Sequence, residues 1–307
     1  MKMGRYVLKR LAALVPTLFV IISVSFFIIR LAPGSPFSSE KAVSEEVLAD
    51  LESKYGFDQP LHIQWLRYMG NVCKGDLGLS TKYPQRSVNE IIGAGFPVTL
   101  ALGGMGLAWA LVLGFTAGIV GAIKHNSAWD HTCMALAMVG ISVPTFVLGP
   151  LLVLIFSLHL WVLPPAGWGD FRHVVLPGLT LGTVYAGYIS RLTRGGLLEI
   201  TRLDFIRTAK AKGLSKMTVV VRHMLKGGLV PVVTFLGPAV AHLLVGSVVI
   251  EKIFNIPGIG PYFVDAAFNR DYFLVMGIVV LESVFLLAMN FLVDITYAFL
   301  DPRISLS

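Results

Sequence analysis

The chain has 307 residues, of which 55% are hydrophobic and 14% charged, with a mean hydropathy of +0.74 and a net charge of +7. An ordinary soluble domain carries about 25% charged residues, and apolar surface in this excess has to face lipid, so a soluble globular protein is excluded. The basic residues alternate with bilayer-length apolar runs, which points to an anionic membrane face and away from nucleic acid.

In chain order, Leu11 to Ile29 carries no charge and follows Lys2, Arg5, Lys9 and Arg10. The run is longer than the roughly 7–15 residues of a signal-peptide core, and Ala32-Pro33-Gly34 is a poor cleavage site. An uncleaved first span is expected, so residues 1–32 read as a cytoplasmic lead and a first membrane helix. Residues 33–95 are polar and mixed in charge. There Ser44-Glu45-Glu46 starts a helix that stops at Gly56, and Pro60 starts another that runs to about Lys74. A small helical insertion outside the membrane is expected, not a disordered linker.

Five charge-poor runs follow within residues 96–300: Pro97–Ile123, His131–Leu160, Val174–Ser190, Gly227–Ile250 and Tyr272–Val293. At 1.5 Å per residue each covers roughly 30 Å of hydrocarbon, Val174–Ser190 by borrowing flanking residues. His131–Leu160 holds Pro144 and Pro150, so a kink or tilt is expected there. Glu282 alone interrupts the last run. A charge at mid-helix costs about 2.5–3.5 kcal/mol on insertion scales, and the many Leu, Ile, Phe and Val around it return about 0.3–0.6 kcal/mol each, so the span survives.

Six spans put both ends on one side. With the amino terminus inside, the cytoplasmic segments hold fifteen Lys and Arg, against Arg172, Lys252 and Arg270 in the short outer ones. The positive-inside rule therefore places both termini in the cytoplasm, including the tail 301–307, and residues 33–95 outside. The two cysteines, Cys73 and Cys133, fall at different levels and cannot pair within one chain.

Catalytic and metal motifs are missing from the sequence. There is no Gly-Lys-Ser/Thr to hold nucleotide phosphates and no His-Glu-x-x-His zinc site, and Gly140-Ile141-Ser142 lacks any constellation that would make it a protease. No catalytic residue, cofactor or metal is assigned to this chain. Glu282 is the one acid placed deep in a span, which makes an ion-coupled carrier the competing reading. His159 and His242 read as structural polar contacts.

The informative segment is the large cytoplasmic loop within residues 191–228. Asp204-Phe205-Ile206-Arg207-Thr208-Ala209-Lys210-Ala211-Lys212-Gly213-Leu214 reads as a short helix. Asp204 is expected to cap its amino end, and Lys210 and Lys212 favour its carboxyl end. Gly213 suits a left-handed stop, with Leu214 folding back on Ala209. Phe205 and Ile206 offer apolar knobs, while Ala209 and Ala211 let a partner surface come close. The other reading is a basic loop that holds anionic headgroups.

This segment resembles the coupling loop of permease subunits in ATP-binding-cassette importers, and more narrowly their peptide and nickel branch. Where the general pattern begins with glutamate, this chain has Arg207. Arg30-Leu31-Ala32-Pro33-Gly34, Tyr55-Gly56-Phe57-Asp58-Gln59-Pro60, Gly75-Asp76-Leu77-Gly78, Phe96-Pro97-Val98-Thr99-Leu100 and Ser142-Val143-Pro144-Thr145-Phe146 also resemble that branch. So do Leu176-Pro177-Gly178, the block from Glu251 to Gly260, Asn269-Arg270-Asp271-Tyr272 and the closing Asp301-Pro302-Arg303. The whole is similar to B-type permease subunits of bacterial oligopeptide importers.

The resemblance implies an all-α membrane protein of the type I importer permease fold in the bacterial inner membrane. It implies four kinds of partner: a second, C-type permease, two cytoplasmic ATPases that carry ATP and Mg, a periplasmic peptide-binding protein, and membrane lipid. It also implies that Asp204–Leu214 contacts the ATPases. Ile256-Pro257-Gly258-Ile259-Gly260 is read either as a turn at the periplasmic gate or as a plain tight turn before the last span. Dipeptide, glutathione and nickel importers share the pattern and stand beside the oligopeptide reading.

Overall fold

The computed structural model describes residues 3–34, 36–37, 45–83 and 85–300. The closing Asp301-Pro302-Arg303 block, the tail 301–307 and Ser44 lie outside them. Among the described residues the regular structure is helical, apart from a single bridge between Leu79 and Ser87. They form two compact units, one of residues up to Val98 with Gly258–Ala288, the other of Thr99–Pro257 with the residues from Met289 on.

In the first unit, α1 (Met3–Leu31) is the expected first span. Helices α2 (Glu45–Tyr55) and α3 (Leu61–Cys73) are the two expected in the insertion. Helix α4 (Val88–Ile123) begins well before Pro97, inside the range read as insertion. At 36 residues it is about 54 Å long, and Val88, Ile91 and Ile92 at its start pack on Ile259, Leu274 and Ile278.

In the second unit, α5 (Ala128–Ser142) starts at Ser127, whose hydroxyl accepts from the Asp130 amide. It does not continue as one tilted span. Pro144 has no amide hydrogen and pushes Val143 into extended backbone (ψ 119°). The chain then resumes as α6 (Thr145–Leu152), which runs on as π-helix through Val153–His159. The two arms are bent by 111°, a sharper break than the expected kink.

Helix α7 (Phe171–Thr201) is capped by Asp170, which accepts from the Arg172 amide at 3.0 Å. It is the hub of its unit and packs on α5, α6 and most of the helices that follow. Those are α8 (Asp204–Ala211), α9 (Lys216–Thr218), a π-helical stretch Val219–Met224, α10 (Leu225–Gly228) and α11 (Val230–Ile253). A Cβ on Gly196 would stand 2.1 Å from the Gly228 carbonyl oxygen, so α7 and α10 cross at a contact that only glycine permits.

Helix α12 (Ile259–Asn269) was not expected. Its opening Gly-Ile-Gly-Pro composition reads as a turn, yet proline is tolerated in a first helical turn, where the amide hydrogens are unpaired anyway. It ends at Arg270 in the left-handed conformation (φ 56°). Helix α13 (Tyr272–Leu300) follows at once.

Among the described residues, by length and composition three helical stretches can cross a membrane: Val7–Leu31, Val88–Ile123 and Tyr272–Val293. If each bent pair is one span, Ala128–Ser142 with Thr145–His159 and Val219–Gly228 with Val230–Leu243 raise the number to five. The sixth expected span falls on α7, which carries Arg191, Arg194 and Glu199 in its last third.

Candidate coupling surface

Helix α8 rests on its own chain through one face. Ile206 is fully buried and Ala209 nearly so, in a cluster with Ala122, Leu197, Val219, Val220 and Met224. Burying an isoleucine side chain contributes about 1.5–3 kcal/mol, enough to hold an eight-residue helix in place that would not persist alone. Ile206 and Ala209 are therefore part of the seat. The expectation that they face a partner is corrected: they share a face three residues apart, and that face is the one α8 turns inward.

The remaining side chains of the segment point outward. Phe205, Arg207, Thr208, Lys210, Ala211, Lys212 and Leu214 are exposed, as are Leu203 and Met217 on either side. The surface thus carries large apolar groups among cations. Asp204, its one acid, pairs with Arg207 at 3.4 Å with both groups almost fully open to solvent.

Asp204 does not cap α8. The cap position is Leu203, whose backbone is extended (ψ 147°) and whose side chain can accept nothing. Asp204 is the first helical residue, where its charge suits the amino end. The carboxyl stop matches the sequence reading. Gly213 has φ +76°, and the Leu214 amide reaches back to the Ala209 carbonyl at 3.4 Å while the Gly213 amide bonds Lys210 at 3.0 Å. Ser215 then starts the next helical turn, accepting from the Thr218 amide at 3.2 Å.

A charged brace stands beside the seat. Arg194, one turn before Leu197 on α7, holds the carboxylate of Asp130 with Nε at 2.6 Å and Nη2 at 2.8 Å. Asp130 is 1% exposed and also accepts from the Asn126 amide at 3.0 Å. His125 Nδ1 lies 3.1 Å from Arg194 Nη2 and 3.3 Å from Asp130 Oδ2. A guanidinium only donates, so a bond to it makes Nδ1 the acceptor and puts the ring proton on Nε2. The hydrogen bonds that Arg194 donates to Asp130 push the pKa of its guanidinium above the usual value. Sequence reading missed this triad, although opposite charges at the ends of two apolar runs were a signal for it.

The turn Ile256–Gly260 is largely buried, with only Pro257 exposed. It does not lead straight into the last span, because α12 intervenes. The preceding block closes α11: Asn255 takes the left-handed conformation (φ 51°) and the Ile256 amide bonds the Glu251 carbonyl at 2.8 Å. Glu251 is fully buried and accepts from Ser247 Oγ at 2.9 Å. Asp130, Glu251 and Asp271, at the ends of their helices, are all more deeply buried than the half-buried Glu282 in the middle of α13. His159 and His242 are exposed on their helices.

The other motif blocks meet in the first unit. Asp271 caps α13 with Oδ1, which accepts from the Leu274 amide at 3.2 Å. Its Oδ2 accepts from Ser80 Oγ and from the Lys82 amide. Tyr272 donates its hydroxyl to the Gly34 carbonyl at 2.9 Å. Residues from three distant stretches of sequence are thus tied together by short-range polar contacts.

Residues 110–306 match the family described as binding-protein-dependent transport system inner membrane component, and residues 3–103 match its amino-terminal counterpart. The chain is 46% identical over 304 residues to the oligopeptide transport system permease protein OppB of Haemophilus influenzae, covering 98% of this chain and 99% of that one. It is 43% identical to the dipeptide transport system permease protein DppB of Bacillus subtilis, over 99% of both chains. It is 40% identical to the glutathione transport system permease protein GsiC of Salmonella paratyphi A, over 98% and 99%. Among solved structures, an inward-facing MetNI methionine ABC transporter superposes with a TM-score of 0.59 at 17% identity, over 69% of this chain and 96% of that one, which is a likeness of fold.

Proposed function

The chain belongs to the binding-protein-dependent transport system inner membrane components, and from that premise we propose that it is the B-type permease of an oligopeptide importer, moved by ATPases that grip α8. It is a multi-pass inner membrane protein with the type I importer permease fold. The observation that carries the coupling role is the division of α8 into a buried seat and an open apolar and basic face. A helix fixed on one side and unpartnered on the other transmits a push to the elements it rests on, here α7 and the carboxyl end of α4.

Two cytoplasmic ATPases, holding ATP and Mg, close on nucleotide and draw the coupling helices together. This chain and a C-type permease swing outward and take peptide from a periplasmic binding protein, and hydrolysis resets them. Both termini lie in the cytoplasm in this scheme, in line with the excess of Lys and Arg on that side. Ile256–Gly260 stands at the periplasmic gate. The chain itself carries no cofactor. The relatives named for dipeptide and glutathione transport keep those substrates as the second reading.

Uptake of labelled di- to hexapeptides, in cells with and without this gene, tests the substrate. Peptide accumulation should vanish without the gene and should survive an uncoupler while ATP is held up. Collapse under the uncoupler would instead establish an ion-driven carrier.

A further inference from the structure

The first unit contains a cavity of about 190 Å³ among the end of α1, the helices α2 and α3 and the start of α13. Among the described residues that line it, the charged groups are Arg30, Lys54 and Arg67, three cations with no carboxylate. The rest of the wall is mainly aromatic and apolar.

Arg30 is half-buried, with its guanidinium 4.3 Å from the Phe57 ring centre and 4.7 Å from that of Tyr272. Its Nη2 donates to Gln64 Oε1, but its Nε is buried and bonds nothing. Among the described residues no carboxylate forms an ion pair with it. Tyr68, 4% exposed, lines the same cavity with a hydroxyl that has no partner. A half-buried guanidinium that no carboxylate touches, Glu52 acting on it only from a distance, and two stranded donors in one space are each unfavourable. Water would satisfy the donors and leave the guanidinium without a contacting anion, and an apolar guest would do neither. A group with several acceptor oxygens and a negative charge satisfies all three.

The cavity's position narrows the choice. Phe26 and Ile29 come from α1 and Met276 from α13, both apolar enough to cross a bilayer, whereas Lys54 and Tyr55 come from the polar insertion. The cavity therefore lies where hydrocarbon gives way to water, the level at which lipid phosphates sit and aromatic side chains gather. Beside it Ile28 and Leu31 of α1 are exposed, leaving an apolar surface for acyl chains. We propose that this cavity binds a phosphate oxyanion, presented by an anionic lipid headgroup or free in solution. The proposal does not rest on the transport reading.

The test is calorimetric titration of the delipidated full chain in neutral detergent. The probes are dihexanoyl phosphatidylglycerol, inorganic phosphate and, as a zwitterionic control, dihexanoyl phosphatidylcholine. Saturable phosphatidylglycerol binding, weakened about tenfold or more in Arg30→Gln and a few-fold in Tyr68→Phe, is expected, because each variant removes a donor to the anion. Saturation by phosphatidylglycerol but not by inorganic phosphate assigns the site to lipid, and the reverse assigns it to a free anion. No saturation by either probe, equal binding of phosphatidylcholine, or binding unchanged in both variants overturns the proposal. If Arg30→Gln does not fold, Tyr68→Phe and Arg67→Gln decide the matter, judged only in preparations that melt at the wild-type temperature.

Discussion

Arg194 grips Asp130 across 64 positions of sequence with two nitrogens, at 2.6 and 2.8 Å, and so ties the start of α5 to α7 one turn from the seat of α8. Removing the cation strands a carboxylate that is 1% exposed. Arg194→Ala should lower stability by about 3 kcal/mol or more, and Arg194→Lys by less, because lysine keeps the charge and loses the fork. Thermal unfolding in detergent measures both. A double variant with Asp130→Asn that is no less stable than Arg194→Ala alone would confirm that the loss lies in the pair.

Phe205 and Ile206 are neighbours with opposite duties. Ile206→Ala should destabilise the seat by about 2 kcal/mol or more, lowering both the melting temperature and transport. Phe205→Ala should leave melting unchanged and lower only ATPase retention and uptake. Reconstituted transport and co-purification, read beside melting curves, separate the two. Equal effects of both variants on melting would contradict the assigned faces.

Gly213 has φ +76° and open space where a Cβ would stand, so strain there is purely backbone. Gly213→Val should cost about 1–2 kcal/mol at the stop, misplace α8 and weaken ATPase docking without impairing membrane insertion. Full co-purification and uptake by this variant would count against the coupling assignment.

Asp271 joins the start of α13 to the segment at Ser80 and Lys82. Asp271→Ala should remove about 1 kcal/mol of capping and leave the hydroxyl proton of buried Ser80 without its acceptor. Faster proteolysis between residues 75 and 87 is the expected readout, and Asn at this position should restore much of the protection, since it caps nearly as well.

Glu282 is half-buried within α13. Glu282→Gln should leave peptide uptake and its pH dependence unchanged, because the energy comes from ATPases below the membrane. A loss of pH dependence in this variant would revive ion coupling.

Sequence alone determined what short-range chemistry controls. Charge-free runs located the long apolar helices of both units, because lipid penalises charge wherever it occurs. The stop of α8 was legible because a left-handed glycine and the backbone bond from Leu214 to Ala209 involve only neighbouring residues. Tertiary structure decided what depends on distant partners. Nothing in the composition of α8 says whether Phe205 or Ile206 turns inward until Leu197 and Val219 are packed against it. Pro144 announced a break, but 111° is set by where α6 lies against α7. Asp130 became a buried anion only when α7 brought Arg194 to it, and Arg30 lost part of its water only when Phe57 and Tyr272 closed over it. Burial and pairing are properties of contacts between residues far apart in the chain, and helical periodicity carries no record of which distant residue arrives.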